Sequence, residues 1–548
     1  MGSCLFSSCG KELSSKSKTA SPKIETTFKL PSPIPNCQPS EDFASGTIDL
    51  GGLLARQISS FTKVWATHEG GPDNLGATFF EPSPIPEEFF MLGCYCQPNN
   101  RPLFGWVLVA KDVNHGKILK QPVDYTLVWS SNSSKIKKDG DLNGYIWMPT
   151  PPEGYKAVGH VVTTSADKPS LEKVRCVHSD LTDDESETDG LIWGLGSRGF
   201  NVYGFRPKKR GIKAQGVCVG TFVAKKGKSK TYSLSLSCLK NLNPKFPKCS
   251  MPDLSQVEAL FQAYSPLIYL HPKEQYLPSS VTWFFDNGAL LYTKGQESKP
   301  VSIDPKGSNL PQDGSPKDGA YWMDLPVADE QKEKLKKGNS HSFEAYLHVK
   351  PMMGATFTDI AVWVFYPFNG PARAKVGCIE VVPLGKLGRH VGDWEHVSLR
   401  ISNFNGQLWS VYFSQHSKGK RVLASEVEFY CGNRPTVYAS LNGHAFYPRA
   451  GLVLQGKCGV GVRNDIARNL DYHEKVLDTR SKFVVVAVDY GSGTAAAAEE
   501  QPSEPPWLNY AREWGPKVSY LGKMKCLQVC GEEGPTGPKE KKNWKGDD

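Results

Sequence analysis

The stretch Gly388-Arg389-His390-Val391-Gly392-Asp393-Trp394-Glu395-His396-Val397 runs directly into the alternating segment Val397-Ser398-Leu399-Arg400-Ile401. Strict alternation of apolar and polar residues marks a β-strand. Period two puts Asp393 and Glu395 on one face. His390 stands just before them, on a turn. Two carboxylates on one face repel unless something positive lies between them. A hard divalent cation, calcium or magnesium, with several waters suits such a pair. The plainer reading is a charged surface strand beside Arg389 and Lys386. Two distant histidines are candidates to converge here: His416 in Ser414-Gln415-His416-Ser417 and His444 in Leu441-Asn442-Gly443-His444-Ala445. Trp394 and His396, inside the stretch, are further candidate pocket residues. Each histidine alone is more often structural.

The surroundings are strand-rich. Ile360-Ala361-Val362-Trp363-Val364-Phe365-Tyr366 and Phe483-Val484-Val485-Val486-Ala487 read as buried strands. Upstream, Asn243-Pro244, Phe246-Pro247 and Met251-Pro252 form a linker composition. Asp253 to Phe261 then reads as a short helix, capped at Asp253 or Ser255, with Val257, Leu260 and Phe261 on one face. A domain boundary is placed near residue 245. Before it, Trp106-Val107-Leu108-Val109, Tyr125-Thr126-Leu127-Val128-Trp129 and Val217 to Val223 are short strands separated by turn signals such as Asn143-Gly144. Gly105, Gly159 and Gly220 each lead a Gly-x-apolar-apolar segment. Three such units would make a pseudo-threefold β-prism, although any β protein contains Gly-led strands. The expected fold is mostly β. Residues 1–24 form a disordered tail, 25–245 a β-prism-like domain, 250–530 a β-sandwich with few short helices, and 531–548 a charged tail.

The chain of 548 residues is 39% apolar and 22% charged, ordinary for a globular protein. No apolar run approaches the about 18 residues of a membrane-spanning helix. The net charge of +9 is small for this length and does not suggest nucleic acid. The basic tracts Lys208-Lys209-Arg210 and Lys225-Lys226-Gly227-Lys228-Ser229-Lys230 suit an anionic headgroup or simply water. Fourteen scattered cysteines without a CxxC pair read as buried thiols. Met1-Gly2-Ser3-Cys4-Leu5-Phe6 has neither the basic start nor the apolar core of a secretory leader, so a cytoplasmic, reducing location is expected. Gly2 is a candidate for myristoylation, and Cys4 or Cys9 for palmitoylation, although Phe6 stands where the pattern wants Ser or Thr.

The sequence carries no HExxH, GxSxG or Walker loop. Two acids on one strand cannot flank a glycosidic bond. Catalysis is therefore disfavoured, and a metal-dependent hydrolase using His390 or His396 as base is kept as an alternative.

From about residue 25 to 530 the chain resembles the plant family of vacuolar protein sorting-associated protein 62. The resemblance rests on Phe104-Gly105-Trp106-Val107-Leu108-Val109-Ala110-Lys111-Asp112, Tyr269-Leu270-His271-Pro272, Trp363 to Pro371 and His390 to His396. Tyr145 to Gly159 is similar to a segment of the lipid-transfer protein vacuolar protein sorting-associated protein 13, where the related region is an adaptor-binding β module. The second half resembles the necrosis- and ethylene-inducing-like cytolysins, whose hallmark is Gly-His-Arg-His-Asp-Trp-Glu on a β-sandwich. Arg389-His390-Val391-Gly392-Asp393-Trp394-Glu395 keeps the first His, the Asp, the Trp and the Glu. Gly392 replaces the second His. Asn369 stands where the family's upstream turn has Asp. The resemblance implies that Asn369, His390, Asp393 and Glu395 line a divalent-cation pocket that engages a glycosylated sphingolipid.

The expected function is thus a non-enzymatic, cytoplasmic, peripheral membrane protein of trafficking. Its partners would be lipid or glycolipid headgroups, with adaptor proteins on the prism. A soluble lectin-like or membrane-permeabilising defence protein is the alternative.

Overall fold

A computed structural model describes residues 24–25, 27–30, 43–226, 236–468, 475–490, 502–519, 532–533 and 535–547, apart from positions 115, 134–135, 139, 184, 197–198, 317, 417 and 458–459. Gly2, Cys4, Cys9, Lys228, Lys230, Cys526 and Cys530 lie outside the described residues.

The chain is mostly β. Residues 361–366 are apolar without alternation because their sheet is covered on both faces. That sheet has six strands, in the order Lys418–Leu423, Leu408–Gln415, His390–Ser402, Phe357–Asn369, Ala345–Met352 and Phe483–Val488. One face, with Val362, Val364, Val397 and Leu399, packs on the helix Leu254–Tyr264 and on a second sheet containing Leu267–Tyr269 and Arg434–Ala439. The helix begins in a capping box: Asp253 accepts from the Gln256 N–H while the Gln256 side chain accepts from the Asp253 N–H. The other face is aromatic, with Trp363, Phe365 and Trp394 against Trp507, Trp514 and the helix Val281–Asp286.

The first half is a prism of pseudo-threefold form. Three antiparallel three-stranded sheets comprise Phe61–Thr67, Ala77–Pro82 and Tyr95–Pro98; then Asp124–Ser130, Tyr145–Thr150 and Val161–Thr163; then Ser186–Gly194, Phe200–Pro207 and Phe222–Lys226. Each contributes one tryptophan to the centre. Trp65, Trp129 and Trp193 lie 64 residues apart. Their rings meet with centroids 5.7, 6.4 and 5.3 Å apart. A second tier of smaller sheets closes over Ile48, Leu53, Leu108, Val177 and Leu239.

The structure shifts the expected repeat. The third glycine is Gly93, not Gly105, which leads into the second tier. A Cβ on Gly93 would lie 2.6 Å from the Cα of Gly159. The backbones cross there, and Cys94 N–H donates to the His160 carbonyl at 2.8 Å.

Both ends of the described chain depart from expectation. Strand Ile24–Glu25 pairs with Phe429–Tyr430 of the sandwich, and Phe28 and Phe43 join the sandwich core. Apolar residues this early seek the larger core rather than the prism. Residues 535–547, expected as a charged tail, are docked: Trp544 is buried and stacks on His348 at 3.6 Å. Among the described residues Cys94, Cys96, Cys176, Cys218 and Cys238 are buried thiols and Cys378 is exposed, but Cys431 is disulfide-bonded, against the expectation of thiols alone.

Candidate functional site

Three segments build the site. In the central sheet Asp393 pairs with Tyr366 and Glu395 with Val364. The turn after Leu267–Tyr269 supplies Glu274, and the loop after Arg434–Ala439 supplies His444. That loop is tight, with left-handed backbone at Asn442 and His444 (φ 70° and 53°).

His444 is fully buried and sits between two carboxylates. Its Nδ1 is 3.0 Å from Asp393 Oδ2, and its Nε2 is 3.8 Å from Glu274 Oε2. The ring stacks on Tyr366 with centroids 3.8 Å apart and planes 4° from parallel. Glu274 is itself held by backbone N–H groups of Gln275 and Tyr276 at 2.9 Å and of Asn442 at 2.6 Å. Burial alone would lower the His444 pKa, but its hydrogen bond to Asp393 and the negative charges of Glu274 and Asp393 outweigh that and raise it to about 9. Burial would raise Glu274, and the charge of His444 with the backbone N–H groups of Tyr276 and Asn442 holds it below the ordinary range. Burial acts the same way on Asp393, and the His444 bond and the His390 charge hold it low. Glu395 goes the other way. Burial, then the Asp393 charge, push it well above the usual carboxylate range. It accepts from the Ser414 hydroxyl, which in turn accepts the His396 N–H at 2.9 Å.

The positive charge that the paired carboxylates need is therefore supplied by the chain itself, as the imidazolium of His444. The expected cation set does not assemble beside it. His390 directs Nδ1 to the Gly392 carbonyl at 2.9 Å. The Asn369 amide donates to the carbonyls of Gly370 and Gly388. Among the described residues no three His, Cys, Asp or Glu side chains are arranged to hold a metal ion. Asp393 is committed to His444, and Glu395 accepts from Ser414.

Two other expected pocket residues face away. Period two turns Trp394 and His396 to the aromatic side of the sheet. Trp394 packs on Trp507 and Trp514 at 5.5 and 5.2 Å. His396 stacks on Trp363 at 4.3 Å, and burial, then the Lys350 charge, hold it neutral. That removes it as a base shared with Asp393. His416 stands beside Gly443 at the rim, 3.1 Å from Asn464 Oδ1. Gly392 has a physical reason to replace histidine: its φ is +64°, and a Cβ there would meet the Trp514 carbonyl oxygen at 2.7 Å. Sequence reasoning missed Glu274 and Tyr366. Glu274 follows Tyr269-Leu270-His271-Pro272 closely, but nothing local tied it to Asp393.

The fold and this site define a class: a two-module β protein with a buried acid–imidazole cluster in its sandwich. Residues 24–528 match the family of vacuolar protein sorting-associated protein 62, and the chain belongs to that family. Vacuolar protein sorting-associated protein 62 of Saccharomyces cerevisiae is 22% identical over 288 residues, which cover 46% of this chain and 58% of the relative. The chain thus matches a little over half the length of that relative. Solved structures similar to it include GNIP1Aa from Chromobacterium piscinae, with 21% identity, 35% of this chain and 38% of that one covered, and a TM-score of 0.29. Another is necrosis and ethylene inducing protein 2 from the causal agent of cocoa's witches' broom disease, with 14% identity, 45% and 84% covered, and a TM-score of 0.21. A third is NLPPya in complex with glucosamine, with 12% identity, 46% and 77% covered, and a TM-score of 0.22. Among the described residues no helix is long and apolar enough to cross a membrane.

Proposed function

We propose that the chain is a non-enzymatic trafficking protein that attaches peripherally to the cytoplasmic side of membranes and recognises hydroxyl-rich lipid headgroups, glycolipid foremost, at the cluster of Glu274, Asp393 and His444. The observation that carries this reading is a set of unfilled hydrogen bonds. His444 Nε2, the Tyr366 and Tyr447 hydroxyls and the Ser440 hydroxyl are buried with no hydrogen-bond partner among the described residues. Buried polar atoms of this kind require a hydroxyl, from water or from a ligand. Carboxylates, phenols and an imidazolium alternate as acceptors and donors, as a sugar's hydroxyls do. Asp393, whose side chain is 11% exposed, and the half-buried His390 give the cluster its outlet. The family's name supports a sorting role. Ser414 bonds a carboxyl and not an imidazole, which favours binding over nucleophilic turnover. On this reading the prism is left to hold an adaptor protein.

Flotation on neutral vesicles, with and without a glycosylated sphingolipid, tests it. Wild type is expected to float with the glycolipid only. Asp393→Asn with His444→Gln is expected to weaken flotation about tenfold or more, the loss of one or two charge-assisted hydrogen bonds. Equal flotation of the two proteins overturns the reading. Because His444 supplies the positive charge, flotation should persist in chelator. Strict calcium dependence would assign the cluster to a cation instead.

A further inference from the structure

Beside the buried cluster two hairpins build a four-stranded antiparallel sheet, in the order Ile379–Pro383, Arg373–Val376, Val460–Ile466 and Gly451–Lys457. Residues directly opposite one another in such a sheet share a face. Val376 stands opposite Ile379 and Val460, Ala374 opposite Val382 and Val462, and Val453 opposite Asn464. With the period of two along each strand, one face gathers Val376, Ile379, Val382, Val453, Val460 and Val462. The other face carries an ion network across the strands, beside Val381, Leu452 and Leu454. Arg463 reaches Asp465 at 2.7 Å and Glu380 at 3.1 Å, Arg373 pairs with Asp465, and Lys375 pairs with Glu380.

The aliphatic face lies open. Val376 is 42% exposed, Ile379 60% and Val453 37%, and Val382, Val460 and Val462 are half-buried. A Cβ on Gly377, in the turn that joins Val376 to Ile379, would meet no atom within 4 Å. A contiguous aliphatic face left to water marks an interaction surface. At its base the same face reaches the rim of the cluster. Asn464 Oδ1 is 3.1 Å from His416 Nε2, and His416 stands beside Gly443, the neighbour of His444. The Leu441 N–H donates to the Asp465 carbonyl at 2.9 Å, and the Gly370 N–H to the Asn442 carbonyl at 2.9 Å. Both inner strands are thus tied to the loop that carries His444.

We infer that this face is the chain's membrane-contacting surface, which sets Val376, Ile379 and Val453 among the outer acyl chains of a bilayer while the cluster of Glu274, Asp393 and His444 takes the headgroup. The inference rests on the headgroup reading above and adds the apolar contact that a headgroup site alone does not supply. Composition selects lipid as the occupant. Surfaces that bind proteins anchor on Trp, Tyr and Arg, and this face has none of them. Its side chains are branched aliphatics, matched to hydrocarbon and free of polar groups that would lose water on entering it. The ion network on the opposite face satisfies its own charges and stays in the polar layer. Shallow insertion, about 5–10 Å deep, is enough for peripheral attachment.

Flotation of the full chain on phosphatidylcholine vesicles with and without glucosylceramide tests this. Val376→Asp with Ile379→Asp, at two exposed positions, is expected to keep the pH-dependent melting of wild type and to float about tenfold more weakly, since two aliphatic side chains no longer leave water. Val376→Leu with Ile379→Leu is expected to float as wild type does. Equal flotation of wild type and the aspartate variant overturns the inference and leaves the headgroup reading standing. Wild-type flotation that ignores the glycolipid, yet is lost in the aspartate variant, keeps the face and removes the headgroup reading. No flotation of wild type on either vesicle overturns both. Sedimentation of the two proteins covers the other occupant: a wild-type dimer that the aspartates dissociate, with flotation unchanged, would assign the face to a second copy of the chain and overturn the inference.

Discussion

His444 shows how one residue can set the pH response of the sandwich. An ordinary histidine titrates near 6.5, and this one is raised to about 9 in the folded chain. Between those values the folded state keeps a proton that the unfolded state has released. The stabilisation is therefore complete below pH 6.5 and is lost as pH rises through about 9. The shift corresponds to about 3 kcal/mol. Glu395, also raised, loses its contribution in the same sense as pH rises above the ordinary carboxylate range. Asp393 and Glu274, held low, act in the opposite sense, stabilising above the ordinary carboxylate range and losing that contribution as pH falls. Wild type should therefore melt at a lower temperature at pH 9.5 than at pH 7. In His444→Gln the decline over that interval should be much shallower. Thermal denaturation across the pH range measures both, and parallel curves would refute the assignment of the proton to His444.

At the scale of elements, the prism rests on contacts that alternation alone does not reveal. Trp129 touches Trp65, Trp193 and the stacked Phe200, the last at 5.3 Å. Replacing it with alanine should cost about 3–5 kcal/mol, the usual range for a large core aromatic, read as a lower denaturation midpoint for the prism. A cost below about 1 kcal/mol would mean that the three sheets do not share one core. The repeat was legible in the sequence, though through a different signal from the Gly-led strands. Val64-Trp65, Val128-Trp129 and Ile192-Trp193 recur at a constant 64-residue interval. Glycine followed by apolar residues is too common to fix a register, and it placed Gly105 where Gly93 belongs. In the sandwich, alternation correctly put Asp393 and Glu395 on one face. The same rule turns Trp394 and His396 to the opposite face. His444 was legible as a candidate. Its cationic role was not, because that depends on Glu274, which another loop delivers from far along the chain.

At the scale of the whole molecule, the two modules are tied together by several kinds of contact. Phe104 and Trp106 of the prism meet Trp409 and Phe357 of the sandwich. Asn241 donates to the Gly354 carbonyl at 2.7 Å, and Ser402 to Gln57 at 2.5 Å. Asp547 bridges Arg210 of one module to Arg400 of the other. Ile24, Glu25, Phe28 and Phe43, which precede the prism in the chain, also pack on the sandwich. Unfolding either module would strip these contacts from the other, so the wild-type chain is expected to give one calorimetric transition. In this seam the rings of Trp409 contact both Phe104 and Trp106. Truncating it removes apolar burial from both modules at once while leaving the Trp65–Trp129–Trp193 centre and the His444 cluster untouched. Trp409→Ala should therefore split the transition into two, the prism melting separately from the sandwich. A single transition shifted only in temperature would instead show that the Trp106–Phe357 contact and the polar bridges suffice to make the two modules one cooperative unit.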